Sequence, residues 1–197
     1  MQFQRVLGTR HRNGSEVSEK LGEPSRIGRS LEQFLHDEGF SSEHESSVFS
    51  MPLPSFNSDR ALNHIPLRDI NRYVDASVAV HGADKGSRQA LNSVIESIKA
   101  PYALFVSEDE SGPVSTVICV HDGDLAGVLD LGTRQDARRL GHGATALSTA
   151  LKWAKSHGAQ MAWLQVDLES DPALALYREF GFQEIYRYVY RIRNSKL

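Results

Sequence analysis

The sequence is short of most features that would mark a specialised environment. Its 197 residues include one cysteine, so no internal disulfide can close. Cys119 lies in the apolar run Thr116-Val117-Ile118-Cys119-Val120, where a thiol reads as a small buried hydrophobe. No apolar stretch is long enough for a signal-peptide core or a spanning helix, which points to a cytoplasmic protein with no membrane partner. Basic and acidic residues nearly balance, 22 against 25, for a net charge of −3. Such a chain has no field to attract nucleic acid. Eight histidines are scattered, without an H-x-x-x-H or Cys/His cluster, so no metal is expected. With 40% hydrophobic residues, the chain can bury one sizeable core, or one domain with a smaller appendage.

What the sequence does have is concentrated between Gly127 and Ala150, GVLDLGTRQDARRLGHGATALSTA. Val128, Leu129 and Leu131 read as a strand closed by Gly132 and Thr133, and Ala144, Leu147, Ala150, Leu151 and Ala154 recur at helical spacing. Between them stands Arg138-Arg139-Leu140-Gly141-His142-Gly143. Glycines here leave an approaching ligand unobstructed, and the first helical turn exposes N–H groups that have no intrahelical partner. With the helix dipole and two arginines, they make an anion site suited to a pyrophosphate. A P-loop is excluded, because Ala144-Thr145 follows Gly143 where Lys-Ser/Thr is required. Gly141 to Ala146 also fits the dinucleotide-binding G-x-G-x-x-A, with Asp167 near the place of a ribose-binding acid. Against that fit, seven charge-rich residues separate Thr133 from Gly141, and only thirty residues follow Asp167.

Arg138-x-x-Gly141-x-Gly143-Ala144 resembles the R/Q-x-x-G-x-G/A signature of the GNAT superfamily of acyl-CoA-dependent N-acyltransferases. Ala173-Leu174-Ala175-Leu176-Tyr177-Arg178-Glu179-Phe180-Gly181-Phe182 resembles the same superfamily's A-x-x-L-Y-x-x-x-G-F segment. One strand, Met161 to Asp167, separates the two. The resemblance covers roughly residues 62 to 193 and implies an α/β (α+β) fold. Its mixed central sheet has antiparallel N-terminal strands and helices on both faces.

The resemblance also implies acetyl-CoA as co-substrate. The N–H groups of Arg139, Leu140, Gly141, His142, Gly143 and Ala144 would hold its pyrophosphate, with Arg138 and Arg139 adding charge. Leu131, Gly132 and Thr133, where the strand splays from its neighbour, would bond the pantetheine arm and polarise the thioester, and Gly132 is consistent with a bulge there. Ala173 and Tyr177 complete the cofactor set, and Tyr177 stands where the family's tyrosine protonates the departing sulfur. Relatives often carry Asn where this chain has Ser170, which Asp171 could replace as the helix cap. The general base stays open among Asp130, on the central strand, Asp167 and Glu169, acting directly or through a water.

Along the rest of the chain, a short strand near Gln2 to Leu7 and a polar loop from Arg10 to Arg29 are expected. A helix follows with Leu31, Phe34 and Leu35 on its apolar face, then Gly39 and a strand from Val48 to Leu53. Leu31 to Phe40 parallels Ala173 to Phe182, which assigns residues 1–55 to a small, degenerate GNAT-like remnant beside a catalytic domain at 62–197. Phe34, Leu35 and Phe40 are then expected to be buried. Pro54 to Asn63 reads as the linker. Helices are predicted from Pro66 to about Val80 and from Lys85 to Lys99, the second capped by Asp84. Tyr73, His81 and Arg88 face either an acceptor or, by the plainer reading, their own helices and solvent. Hairpin strands at 102–106 and 113–120 precede the central strand. In the last strand, Gln183 to Ile192, a tyrosine row reads as a packing surface, from which Tyr188 or Tyr190 could line an acceptor pocket.

Two functions fit these residues. One is an acetyltransferase acting on a primary amine of a small molecule or peptide by direct attack in a ternary complex. The other is a non-catalytic acyl-CoA-binding or assembly module. Neither acceptor identity nor a homodimer is settled by any motif.

Overall fold

The computed structural model describes residues 26–193, so the strand expected near Gln2 to Leu7 lies outside the described residues. The elements run α1 (Arg26–Asp37), β1 (Phe40–Pro52), α2 (Ile70–His81), α3 (Lys85–Ser97), β2 (Tyr102–Asp109), β3 (Gly112–Asp122), β4 (Leu125–Thr133), α4 (His142–Ser156), β5 (Met161–Asp167), α5 (Asp171–Glu179) and β6 (Gln183–Arg193). Each helix after α1 starts where its sequence supplies a signal. Asp69 accepts from Arg72 N–H at 3.1 Å to cap α2, and Asp84 accepts from Ser87 N–H at 2.9 Å to cap α3. Ser170 stands at the cap of α5 but makes no side-chain cap bond, so neither it nor Asp171 caps as expected, and Pro172 alone marks the start.

The chain divides into two compact units, one holding the described residues up to Glu43 and from Tyr190, the other His44–Val189. In the smaller unit, α1 forms as predicted, but Phe34 is 58% exposed and Leu35 and Phe40 are only half-buried. The expected burial of that face is therefore not found among the described residues. The Arg193 guanidinium stacks over the Phe40 ring at 5.7 Å, a contact that leaves the ring partly open.

The larger unit is built on a six-stranded sheet in the order β2-β3-β4-β5-β1-β6. β2, β3 and β4 are antiparallel, β4 and β5 are parallel, and β1 runs antiparallel to β5 from Ser46↔Asp167 to Pro52↔Met161. Alternation along β2 and β3 divides the side chains between two layers. Ala103, Phe105, Val117 and Cys119 face α4 and α5, while Leu104 and Ile118 pack with Tyr73, Val74 and Ile95 of α2 and α3. β6 is one edge of the sheet, and in its tyrosine row Tyr186 and Tyr190 are exposed while Tyr188 is half-buried with its ring 6.4 Å from that of Tyr186, so the row packs less than the sequence suggested. No described helix is long and apolar enough to cross a membrane.

Cys119 has no exposed surface, and burial pushes its thiol up to about 12. A thiol held that far from ionisation is inert at neutral pH. Native protein should resist a maleimide at pH 7.5 and label rapidly in denaturant, as read by mass spectrometry; fast native labelling would contradict the core assignment.

Candidate active site

The ladder between β4 and β5 stops at Val128↔Leu164, although β4 continues to Thr133 and β5 to Asp167. Past that point any N–H of β4 that points toward β5 has no ladder partner. On its other side β4 bulges: Thr116 pairs with Gly132 but Ile118 with Leu129, which inserts one extra residue into β4. The residue that takes the left-handed conformation is Asp130, at φ 51°, not Gly132. Asp130 tolerates it because its carboxylate and carbonyl are both held. Tyr73 Oη donates to Oδ2 at 2.8 Å, His81 Nε2 lies 3.2 Å from Oδ1, and Thr116 Oγ1 donates to the carbonyl at 3.3 Å.

Gly132 serves a different purpose. A Cβ there would lie 2.5 Å from both Cε1 and Nε2 of His81, so the imidazole occupies the space a side chain would take. His81 is the last residue of α2, turned back at Gly82 with φ 65°. Its side chain is 37% exposed, whereas Asp130 is 18% exposed and Tyr73 fully buried. The bond to Asp130 raises the His81 pKa above its ordinary value, against opposition from partial burial and Arg138. Burial, and then the Asp130 charge, hold the Tyr73 hydroxyl well above its usual value, so it remains a donor. Gly132→Ala should displace the ring and lower the His81 pKa toward about 6.5, which NMR titration of the imidazole would detect. An unchanged titration in the folded variant would show that the ring does not depend on this gap.

Beyond β4, a short 3₁₀ turn at Gln135–Ala137 leads to α4. Arg134 anchors this connector, pairing with Asp109 at 2.8 Å and with Asp136 at 2.6 Å. Arg138 donates through Nε to the Thr133 carbonyl at 3.3 Å, and Arg139 takes φ 62°. Gly141 caps α4 at φ 87°, a conformation glycine adopts without strain. The Thr145 N–H bonds the Gly141 carbonyl at 3.0 Å, but among the described residues the N–H groups of Arg139 to Ala144 donate to no backbone carbonyl. Gly143 has little room: a Cβ would meet Thr133 Oγ1 at 3.1 Å and Leu176 at 3.7 Å. The end of β4, the first turn of α4 and α5 thus converge on one glycine.

On α5, Ala173 is half-buried and Tyr177 buried, its ring edge-on to Phe182 at 5.9 Å. Burial lifts the Tyr177 hydroxyl to about 12, and it bonds no other group among the described residues. Leu131 is half-buried, while Arg138, Arg139 and Leu140 are exposed.

The remaining candidates are placed less suggestively. Arg88 pairs with Asp75 at 2.7 Å. Both Asp167 oxygens are engaged, one by His44 at 3.2 Å and the other by the Glu169 N–H at 2.9 Å, and Glu169 is exposed. Donor atoms of His44, Asp167 and Glu169 lie within 4.8 Å of one another, a proximity the sequence reading missed because β1 and β5 meet only in the sheet.

The Acetyltransferase (GNAT) family profile matches residues 76–182, more than half the chain. YobR of Bacillus subtilis, an uncharacterized N-acetyltransferase, is 26% identical over 123 residues, 62% of this chain and 49% of that protein. The chain therefore spans about half the length of the curated relative it matches. A GCN5-related N-acetyltransferase from Sphaerobacter thermophilus superposes with a TM-score of 0.65 at 20% identity, over 83% of this chain and 55% of its own. One from Kribbella flavida gives 0.61 at 18%, over 85% and 65%. At such identities the two structures speak for the fold alone. The family match spans β4, the glycine cradle and α5, and on that match this chain belongs to the acetyltransferase (GNAT) family.

Proposed function

We propose that the protein transfers an acetyl group from acetyl-CoA to a primary amine of a small molecule or peptide, by direct attack within a ternary complex. The observation that carries this reading is the convergence at Gly143, where a splayed strand end meets a row of backbone N–H groups with no carbonyl partner. This cradle suits the cofactor chemically. The N–H groups of Arg139, Leu140, Gly141, His142, Gly143 and Ala144, at the positive end of α4, suit a pyrophosphate, and Arg138 and Arg139 add charge. Leu131, Gly132 and Thr133 would hold the pantetheine arm along the unpaired edge of β4, with Ala173 and Tyr177 completing the set. When bound, acetyl-CoA supplies an acyl group already activated as a thioester.

The chain's own residues then have three tasks. Freed β4 N–H groups polarise the carbonyl oxygen. Asp130 supplies the negative charge for deprotonation of the amine, directly or through an intervening group. Tyr177, protonated throughout the neutral range, would offer its hydroxyl to the departing sulfur as a hydrogen-bond donor. The recurrence of helix, left-handed glycine, phenylalanine and strand at Gly39-Phe40 and Gly181-Phe182 supports residues 1–55 as a degenerate module beside a catalytic 62–197, although β1 from His44 onward belongs to the larger unit.

The test is a screen of primary amines with acetyl-CoA, following release of free CoA. Turnover of any amine above the hydrolytic background supports the transferase. Acetyl-CoA binding with no turnover across a broad panel would favour the non-catalytic module.

A further inference from the structure

We propose that His81 is the group that takes the proton from the acceptor amine, with Asp130 and Tyr73 as residues that position it. The inference rests on the acetyltransferase reading, which places the thioester along the end of β4.

Three observations carry it. First, Asp130 is a poor direct base by geometry, because both its oxygens are already occupied, Oδ2 by Tyr73 and Oδ1 by His81. Second, the imidazole lies against Gly132, on the strand segment whose pairing to β5 has ended, and its side chain is 37% exposed. It is therefore the group of this cluster that an entering amine can touch. Third, the Nε2 contact to Asp130 Oδ1 selects the tautomer with hydrogen on Nε2, which leaves the Nδ1 lone pair as the acceptor. The arrangement is tyrosine to carboxylate to imidazole, with the fully buried Tyr73 fixing the carboxylate's rotamer. Both α2 residues reach the bulge in β4, which explains why Asp130 is held at φ 51°.

The proton balance is direct. The ammonium N–H bond breaks and its proton moves to Nδ1 of His81, from which it passes to solvent. The freed lone pair forms the C–N bond as the C–S bond breaks. The second nitrogen proton leaves by the same imidazole, neutral again once the first has passed to solvent, while the departing thiolate is stabilised by a hydrogen bond from the Tyr177 hydroxyl and takes its proton from solvent, so the net release is one proton. An alkyl amine with a pKa of about 10.4 is free base in only about one part in a thousand near pH 7.4, so a positioned base has much to contribute.

The groups facing His81 are Asp130 of β4, which raises its pKa, and Arg138 of the connector, which lowers it, while Tyr73 of α2 acts through Asp130. Only the neutral imidazole accepts a proton, so kcat/KM should rise with pH through the His81 pKa, above its ordinary value. Removing the Asp130 charge lowers that pKa and moves this acid limb to lower pH.

The experiment has two arms, each with acetyl-CoA as probe and its thermal shift measured in every variant. In the kinetic arm, His81→Gln should lower kcat/KM for an alkyl amine about 10²-fold and abolish the limb at the His81 pKa, leaving only the rise toward the amine's own pKa of about 10.4. Asp130→Asn should keep the limb but shift it acidward. Turnover by His81→Gln within threefold of wild type, or a limb at the wild-type His81 pKa that survives in it, overturns the proposal. In the second arm, which needs no acceptor, the imidazole NMR signal assigned by its loss in His81→Gln should move when acetyl-CoA is added. A signal that stays put while acetyl-CoA raises Tm overturns the assignment of His81 and leaves the acetyltransferase reading standing. If acetyl-CoA fails to raise Tm in the wild type, both fall.

Discussion

Gly143→Glu should leave a folded protein that no longer responds to acetyl-CoA. In the wild type, ligand at a hundred times its dissociation constant stabilises the native state by about 2.7 kcal/mol. For a chain of this size that is a rise in Tm of about 5–10 °C. The substitution acts twice on the cradle. Its Cβ would sit 3.1 Å from Thr133 Oγ1, tightening the junction between β4 and α4. Its carboxylate then stands among the N–H groups of Arg139 to Ala144 and opposes the pyrophosphate with like charge. A Cβ contact of 3.1 Å asks the Thr133 side chain to give by only a few tenths of an ångström, so the fold itself should persist, which circular dichroism would check. A full thermal shift retained by the folded variant would remove the glycine pair from the cofactor site.

Tyr177→Phe should lower kcat about 10²-fold and leave acetyl-CoA affinity nearly unchanged. The hydroxyl lies in a buried helix face with its pKa lifted to about 12, above the roughly 8.5 of a thiol. Complete transfer of its proton to a thiolate is then uphill by about 5 kcal/mol, so its contribution comes as a hydrogen bond to the sulfur as charge develops there. That places the effect at the low end for an acid catalyst. Phenylalanine keeps the edge-on contact to Phe182 at 5.9 Å and removes a hydroxyl with no bond of its own, so Tm should change little. Turnover within about twofold of wild type would reduce Tyr177 to a core aromatic.

Wherever a feature is written in contiguous residues, the sequence could be read directly. Asp84 caps α3 through the N–H three residues on, and β5 begins and ends where its apolar run does, whereas α2 starts at Ile70 behind an Asp69 cap and not at Pro66 as expected. Other elements read poorly for identifiable reasons. β1 extends back to Phe40, well before the expected Val48, and that start is hidden because Ser41-Ser42-Glu43-His44-Glu45 is polar and carries no apolar alternation. The tyrosine row of β6 alternates as a packed strand would, yet on this edge strand Tyr186 and Tyr190 are exposed and Tyr188 only half-buried. Ser170 stands at the α5 cap, but with φ −89° and ψ 69° its side chain does not reach back to the helix.

By itself the sequence determined the local machinery: the strand into the glycine cradle, the exposed N–H groups at the start of α4 and the tyrosine helix behind them. Each depends on backbone conformations and periodicities set within a few residues, such as Gly141 at φ 87°. Only the tertiary structure decided that β1 lies between β5 and β6, and that Tyr73 and His81 close on Asp130. Tyr73 and Asp130 are 57 residues apart, on a helix and a strand separated by α3 and the β2–β3 hairpin, and no periodicity records which helix packs over a bulge. That choice follows from burying α2 on one face of the sheet and from an extra residue in β4 that turns Asp130 toward it. Such long-range pairings are fixed by the sum of packing over the whole domain, and Gly132 alone marks in the sequence the space that His81 fills.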